Sequence, residues 1–289
     1  MLGTVTSDAL AEISGVAASR TSPGVLYVHN DSGEPHARFF AIRTDGTLLG
    51  EYALGDEPVV DVEDIAIGPG RTPGTTAVYL GDVGDNAARE LQAPASRGAP
   101  SRWTPRASIA VLRVSEPTVP RDAQEPVQRQ LSDVERFELR YAGEPYDCEA
   151  FFVDAAGDLY LLAKVASGPA PVFRARAPLS TRSPTILERV GETAPARDLG
   201  DAITAASLDS MGLRLAVRTY RAALLYVRRS DQSWVDVLAA SPLVLPRLRE
   251  PQGEALGWLD GATLVSITEG PRSPIQALRD GCARGAAAE

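Results

Sequence analysis

The chain contains very little cysteine, histidine or lysine. Cys148 and Cys282 are the only cysteines, His29 and His36 are the only histidines, and Lys164 is the only lysine. The spacing of the cysteines fits neither a zinc site nor a redox motif. Two interpretations of the pair stay open. They are free thiols, or they form a disulfide that ties the C-terminal segment to the rest of the fold, which requires an oxidising compartment.

Long apolar runs and an excess of positive charge are missing as well. No run approaches the roughly 18 apolar residues that a membrane span needs, so the sequence predicts none. The formal charge is −9 over 289 residues. This argues against a nucleic-acid backbone or an anionic membrane surface as partner, because both need a basic face. No charged segment followed by an apolar one opens the sequence, which leaves cytoplasmic residence or a secretion signal removed beforehand.

Sequence motifs of several enzyme classes are also absent. There is no Gly-x-Ser-x-Gly elbow, no phosphate-binding Walker loop, and no Gly-x-Gly-x-x-Gly segment that opens a helix. The chain therefore gives no motif-level sign of a serine hydrolase, a nucleotide hydrolase or a dinucleotide-dependent enzyme.

What the chain does contain is a short segment, acidic at its front and apolar behind, that returns about every 50 residues. It is clearest at residues 61–68, which read DVEDIAIG. Each copy is followed by a turn rich in Gly, Pro, Asp or Ser and then by a second strand-like run. The copies start near Glu12, Glu63, Glu149, Thr204 and Glu254, and Thr204 departs from the acidic pattern. A repeat of this length built of short strands is typical of a β-propeller.

We therefore predict an all-β chain with one propeller domain over residues 1–280 and a flexible tail at 281–289. The prediction is five four-stranded blades, with an N-terminal edge strand near residues 3–7 that completes the last blade.

The gap of about 86 residues between Glu63 and Glu149 is the longest between repeats. It contains only four strand candidates, and we assign its surplus to loop insertions at 87–107 and 115–130. Six blades are the alternative if residues 87–130 contain a blade of their own.

The first strand of each blade lines the channel of a propeller, so equivalent positions converge on its axis. In an antiparallel pair, the start of the first strand and the end of the second lie at one edge, so both sets of residues should meet at one mouth. The first-strand residues are Glu12, Glu63, Glu149 and Glu254, with Thr204 in the fifth place. The residues at the ends of the second strands are Asn30, Asp31, Asp82, Asp85, Asn86, Lys164, Arg218, Tyr220 and Glu269.

A ring of like charges in a narrow channel is costly unless a cation, a counter-charge or protonation relieves it. Lys164 and Arg218 are the expected counter-charges. A purely architectural interpretation remains open, in which the carboxylates accept hydrogen bonds from backbone amides of the adjacent blade and lock the ring.

Asp31, Asp82 and Asp85 stand beside glycine and asparagine, and with Glu63 they form a candidate calcium site. Calcium takes six to eight oxygen ligands in flexible geometry, which such segments supply. The alternative is that these aspartates and asparagines only form turns. His29 is a weak candidate for a metal ligand or a general base.

Several of these segments resemble a group of bacterial, often secreted, propeller proteins. The group is related loosely to phytase-like and esterase-like propellers and to gluconolactonase-type propellers. The resemblance rests on EISG at 12–15, HNDSG at 29–33, DVEDIA at 61–66, GDVGDN at 81–86, CEA at 148–150, RTY at 218–220, QGEA at 252–255 and TEG at 268–270. It spans residues 10 to 275, and it implies a propeller outside the cytoplasm. The 87–107 insertion and Thr204 depart from the group's pattern.

Two classes of function follow. In the first, a monomeric propeller binds a cation, or a small ligand such as a sugar or a peptide, at its acidic mouth. In the second, it is a metal-dependent hydrolase of an ester, lactone or phosphate. There a carboxylate, with Glu63 and Glu149 as candidates, acts as base, while Lys164 or Arg218 stabilises the anion. Fold alone does not decide between them.

Overall fold

The structure is a computed structural model that describes residues 1–31, 33, 35–92, 104–120, 125–194, 196–246, 250 and 252–279. Cys282, the tail at 281–289 and most of the 87–107 insertion lie outside these residues, so the disulfide and the flexible tail stay predictions. None of the helices within the described ranges has the length and apolarity that a membrane crossing requires.

The described chain consists almost entirely of short strands. In chain order they are β1 (Gly3–Thr4), β2 (Ile13–Ala18), β3 (Val25–Asn30), β4 (His36–Arg43), β5 (Leu48–Pro58), β6 (Val62–Pro69), β7 (Thr76–Asp82), β8 (Ile109–Ser115), β9 (Val127–Leu131), β10 (Glu135–Tyr141), β11 (Cys148–Val153), β12 (Leu159–Ala163), β13 (Pro171–Ala175), β14 (Thr185–Glu192), β15 (Ile203–Leu208), β16 (Arg214–Thr219), β17 (Ala223–Val227), β18 (Leu243–Val244), β19 (Gly253–Trp258), β20 (Thr263–Thr268) and β21 (Pro274–Arg279). Two short helices accompany them, α1 (Asn86–Gln92) and α2 (Trp234–Leu238), together with a 3-10 turn at Leu199–Asp201.

The strands form sheets in which consecutive strands pair. The sheet orders are β2-β3-β4-β5-β9, β15-β16-β17-β18 and β1-β21-β20-β19, and an eight-stranded sheet contains the units β6-β7-β8-β10 and β11-β12-β13-β14. Parallel pairing of the outer strands β10 and β14 joins those two units. The first strands β2, β6, β11, β15 and β19 contact one another in that order, and β19 also contacts β2. The all-β class is confirmed, and the first strands surround a common axis.

The N-terminal strand β1 pairs with β21 through Gly3 and Ile275, so the start of the chain covers the open edge of the last sheet, as the sequence predicted. The region assigned to loop insertions differs from prediction. It contains α1, and it contains β9, which pairs in parallel with β5 through Gly50 and Val127. Three of the five residues of β9 are exposed polar residues, so its apolar pattern is too weak to predict a strand.

Apolar layers between neighbouring units hold the ring together. Between the first two units, the Phe39 ring stacks on Tyr52 with centroids 5.2 Å apart and meets the edge of Tyr27 at 5.3 Å. First strands such as β11 are buried along their whole length, because they pack on both faces. Most of their polar residues therefore lie near the strand ends, and the candidate site lies at one of these ends.

A register shift recurs at the start of every first strand. The first residue pairs with the end of the second strand, and the next residue is extra, as in a β-bulge. The extra residues are Ser14, Glu63, Glu149, Thr204 and Glu254. In each unit the bulge turns one side chain out of the regular strand pairing. All five of these side chains lie at the same mouth of the channel.

The bulges correct one sequence-based assignment. Ser14, rather than Glu12, is structurally equivalent to Glu63, and Glu12 lies two residues earlier on the exposed surface. A two-residue offset keeps the same strand face, so the acidic pattern alone gave the wrong equivalence. Ser14 donates a hydrogen bond to the Glu63 carbonyl at 3.1 Å, and Thr204 donates to the Gly253 carbonyl at 2.8 Å. The bulges without a carboxylate thus bind the next first strand directly.

Candidate functional site

Five carboxylates meet at this mouth in two overlapping groups of three. Asp31, Asp61 and Glu63 form the first triad, and Glu63, Asp147 and Glu149 form the second. Within each triad, one oxygen from each residue lies within 4.8 Å of the others. Asp31 is half-buried and the other four are buried. Glu63 belongs to both triads and is therefore the centre of the cluster.

The neighbouring strands β6 and β11 position four of these side chains in the same way. In each, an aspartate precedes the strand and a glutamate occupies its bulge, at Asp61 and Glu63 and at Asp147 and Glu149. Residues two apart along a strand face the same side, so each pair points toward the mouth. The fifth carboxylate, Asp31, follows β3, where its backbone amide donates to the Glu12 carbonyl at 2.8 Å.

A glycine lets the backbone approach the first triad. A Cβ atom on Gly84 would lie 2.4 Å from Glu63 Oε1 and 2.5 Å from Asp61 Oδ2. The amide of Gly84 donates to the Asp61 carbonyl at 3.2 Å. No larger residue fits here without displacing a carboxylate.

Two cations partly neutralise the second triad. Arg89 Nη1, on α1, lies 2.9 Å from Asp147 Oδ2 and 3.2 Å from Glu149 Oε1. Lys164 Nζ forms a buried ion pair with Glu149 and lies 5.0 Å from the centroid of the Tyr220 ring. The sequence predicted Lys164 as a counter-charge for the carboxylates, and the structure places it against Glu149.

The Glu63 carboxylate, which the two triads share, has less compensation than Glu149. The Glu63 side chain is buried, with the residue only 4% exposed. Among the residues that the structure describes, none donates a hydrogen bond to its carboxylate, and Asp61 Oδ2 accepts one from Asn86 Nδ2 at 3.3 Å. A buried carboxylate without a donor is costly. The arrangement therefore calls for a bound cation or a proton.

The proton affinities reflect this crowding. Burial raises the pKa of Glu63 well above its usual range, and the charges of Glu149 and Asp31 raise it further. Burial, with Asp31 and Asp147, raises the pKa of Asp61 to about 6. Burial also raises the pKa of Glu149 to about 8, although Lys164 opposes the shift. Without a cation, the cluster holds protons near neutral pH, and a cation has to displace them.

The Lys164 ammonium stays charged. Burial works against its charge, but the adjacent Glu149 and Tyr220 outweigh burial and hold its pKa above the usual value. Burial raises the pKa of the Tyr220 hydroxyl to about 12, so Tyr220 remains a neutral hydrogen-bonding group beside the cluster.

Asp82 and Asp85, two candidate metal ligands of the sequence analysis, lie outside both triads. Asp82 accepts hydrogen bonds from the amides of Val60 and Asp61 at 3.0 and 2.9 Å and from Arg106 at 2.8 Å. Asp85 accepts from the amide of Arg106 at 2.7 Å and from the first turn of α1. In the structure they hold the backbone that carries Asp61 and Gly84.

Arg218 also lies apart from the triads. Its Nη2 atom is 2.7 Å from Glu250, and both side chains are almost completely buried. Glu250 also accepts from Ser266 Oγ at 3.0 Å. Burial lowers the pKa of the Arg218 guanidinium and raises that of Glu250. The pair lies between the last two units, so Arg218 neutralises Glu250 there, whereas the sequence predicted it as a counter-charge for the carboxylates of the channel.

Two of the remaining candidates, Glu254 and Glu269, belong to a second polar group on the side of the mouth next to β19. Gln252 donates to Glu254 at 2.9 Å and also to Glu269. Burial raises the pKa values of both glutamates, and Asp31 contributes to each shift. Asn30 is used locally, because its amide donates to the Ala9 carbonyl at 2.8 Å. Glu12 and Asn86 are exposed.

Sequence reasoning missed Asp61, Asp147, Asp64 and Arg89 as site residues. The first two carried a signal, because Asp-x-Glu occurs at the start of both β6 and β11. Arg89 falls in a segment assigned to a loop and carried none. Asp64 is fully buried, and it accepts hydrogen bonds from Ile65, Phe151 and Ala206 amides at 2.8, 3.1 and 3.1 Å. Because these amides belong to β6, β11 and β15, Asp64 ties three first strands together beneath the triads.

No protein-family model matches the chain, and a comparison with curated proteins finds no match. Solved structures of similar arrangement include a PQQ-bound aldose sugar dehydrogenase from Streptomyces coelicolor, at 12% identity, 96% coverage of both chains and a TM-score of 0.45. A putative gluconolactonase has 12% identity, coverage of 93% of this chain and 76% of its own, and a TM-score of 0.43. A streptogramin B lyase has 10% identity, coverage of 96% and 72%, and a TM-score of 0.41. None of these similarities bears on what this chain binds.

Proposed function

We propose that the chain is a five-bladed β-propeller that binds a calcium ion at the mouth of its channel through Asp31, Asp61 and Glu63. The observation that carries the proposal is the Glu63 carboxylate. It is buried among four other carboxylates, and no described residue donates a hydrogen bond to it. A cation supplies the positive charge that such a group lacks. The ring of contacts among β2, β6, β11, β15 and β19 supports five blades as part of the proposal.

The donor set favours calcium over a transition metal. Within the described part of the chain, both triads consist of carboxylates alone, without histidine or cysteine. Hard oxygen ligands suit calcium and magnesium, and calcium accepts the less regular geometry and higher ligand number that five clustered carboxylates and a loop offer. A location outside the cytoplasm and a monomeric state stay predictions.

The second triad is suited to a small ligand beside the cation. Arg89, Lys164 and Tyr220 supply positive charge and hydrogen bonds at its rim. A ligand with oxygen atoms, such as a sugar or a carboxylate, fits this combination because it contacts the cation and these donors together. We therefore propose a calcium-dependent binding protein as the main function.

A metal-dependent hydrolase is the second candidate, and one observation favours it. Burial raises the pKa of Glu149 to about 8, although the adjacent Lys164 lowers it. A carboxyl group with a pKa near the working pH suits general acid–base chemistry. Assays with an aryl ester, a lactone and an aryl phosphate, each with calcium and with chelator, test it. Calcium-dependent turnover that Glu149→Gln abolishes would favour the hydrolase.

Isothermal titration calorimetry of the chelator-treated chain with calcium and with magnesium tests the main proposal. We expect one calcium site, and a calcium affinity in Glu63→Gln at least about tenfold weaker, since a charged ligand becomes a neutral one of equal size. Calcium should also raise the melting temperature through linkage. Asp154→Asn is the matched control, because it removes the same charge at the turn between β11 and β12, at the other end of the sheet.

An absence of binding would contradict the proposal. If neither ion produces heat of binding, and chelator leaves the melting temperature of the wild-type chain unchanged, the carboxylate cluster is architecture. Far-ultraviolet circular dichroism of Glu63→Gln separates a lost ion from a lost fold.

A further inference from the structure

A second concave feature, whose walls include none of the five carboxylates, lies between the unit β11 to β14 and the unit β15 to β18. It is a cavity of about 420 Å³. Its walls include Val165, Ile203, Leu224 and Val244. Small-molecule sites have volumes of roughly 300–1,000 Å³ and mostly apolar walls with a few polar groups. The cavity therefore has both the size and the composition of a ligand site.

The charges at the rim of this cavity are already paired. Arg221 Nη1 lies 2.6 Å from Asp201 Oδ1, and Arg197 Nε lies 2.6 Å from Asp201 Oδ2. Arg221 also contacts Asp198 at 2.6 Å. No charge in this network is left over for a ligand, so an ionised ligand would lose its hydration without gaining a new counter-ion. The rim thus favours an uncharged ligand.

One polar group in the cavity wall, the Tyr226 hydroxyl, has no hydrogen-bond partner among the residues that the structure describes. Tyr226 is 4% exposed. The hydroxyls of Tyr27 and Tyr79, by contrast, donate to the carbonyls of Pro117 and Pro69 at 2.9 and 2.6 Å. Burial raises the pKa of Tyr226 to about 12, so its hydroxyl keeps its proton and can donate it.

We infer that this cavity binds an uncharged, mostly apolar small molecule whose carbonyl or ether oxygen accepts a hydrogen bond from Tyr226. The site is separate from the carboxylate cluster and does not depend on a cation. Binding buries apolar surface of the ligand and gives the Tyr226 hydroxyl the acceptor that the protein does not provide.

Three compounds of nearly equal shape serve as probes: 2-acetylnaphthalene, 2-ethylnaphthalene and 2-naphthoate. We expect the ketone to bind most tightly and the carboxylate most weakly, as measured by titration of ligand fluorescence in the presence of chelator. Tyr226→Phe should weaken binding of the ketone by about two- to tenfold, the worth of one neutral hydrogen bond. It should leave binding of the hydrocarbon unchanged.

A filling substitution tests the location. Ala222 lines the cavity, and Ala222→Leu should weaken both uncharged probes at least about tenfold, because the added atoms occupy their space. Ala142→Leu, in the exposed turn after β10, is the matched control and should change nothing. Melting curves of each variant show whether it is folded.

The inference is overturned if no uncharged probe binds the wild-type chain, or if a folded Ala222→Leu binds as the wild-type does. It is also overturned if Tyr226→Phe binds the ketone and the hydrocarbon with the same affinities as the wild-type chain. Because the titrations contain chelator, a failure here is independent of calcium binding at Glu63.

Discussion

The Glu63 and Glu149 carboxylates, which extend from equivalent bulges of neighbouring strands, each place an oxygen within 4.8 Å of the other and of Asp147. Two like charges at this distance in a buried site repel strongly. Protons and a cation are alternative ways to relieve that repulsion, and they compete for the same oxygens. The state of the cluster therefore depends on pH and on cation concentration together.

The cation-free chain should lose stability as the pH rises. The pKa of Asp61 is raised to about 6 and that of Glu149 to about 8, whereas unfolded carboxyl groups titrate near 4. Between these values the folded chain binds more protons than the unfolded one, so the free energy of unfolding falls with rising pH. In chelator, we expect the melting temperature to fall from about pH 5 to about pH 8, by about 2–4 °C for each kcal/mol lost.

Two comparisons isolate this effect. Glu149→Gln should flatten the dependence toward pH 8, because the titrating group is gone, and saturating calcium should flatten it in the wild-type chain. A melting temperature in chelator that rises over the same range would contradict the raised pKa values.

Gly84→Ala should damage the first triad. Its new methyl group would lie 2.4 Å from Glu63 Oε1 and 2.5 Å from Asp61 Oδ2, so one carboxylate or the loop must move. We expect destabilisation of about 1–3 kcal/mol, the usual cost of overpacking. Calcium affinity, measured by calorimetry, should fall at least about tenfold because the ligands are displaced.

Gly143→Ala is the matched control. A Cβ atom at Gly143 meets nothing within 4 Å, so the same substitution there should leave both stability and calcium affinity unchanged. Wild-type calcium affinity in Gly84→Ala would show that the ion does not use Glu63 and Asp61 together.

Most strands of the fold could be predicted from the sequence. Buried runs such as 148–153 and 253–258 follow turn residues at regular intervals, and the structure has a strand at each. Strands in segments with a weak apolar pattern could not be predicted. The strand at 127–131 exists because its first and last residues pack against the first core layer while the residues between them face solvent.

The residues of the site could be predicted only in part, because their positions depend on local backbone geometry. The sequence singled out Glu63 and Glu149 because they repeat, but it could not reveal the bulge that makes Ser14 their equivalent. Nor could it show that Asp82 is occupied by backbone amides and Arg106. Hydrogen bonds of this kind depend on how the loops fold over the strand ends, and residue type alone does not encode them.

Arg89→Gln should change calcium affinity and stability in opposite directions. The Arg89 guanidinium lies 2.9 Å from Asp147 and 3.2 Å from Glu149, where its charge opposes a cation and stabilises the cation-free cluster. Its removal should tighten calcium binding by about two- to tenfold, the scale of one partly exposed charge interaction. In chelator the variant should melt at a lower temperature than the wild-type chain, because the buried carboxylates lose a partner.

Arg71→Gln controls for the loss of a positive charge. Arg71 pairs with Glu135 at 3.2 Å on the surface and is 61% exposed, so its loss should alter neither quantity. Calorimetry measures the calcium affinity of the two variants, and melting curves with and without calcium measure their stability. If Arg89→Gln binds calcium more weakly than the wild-type chain, Arg89 positions Asp147 and Glu149 rather than competing with the ion, and the electrostatic account of the cluster fails.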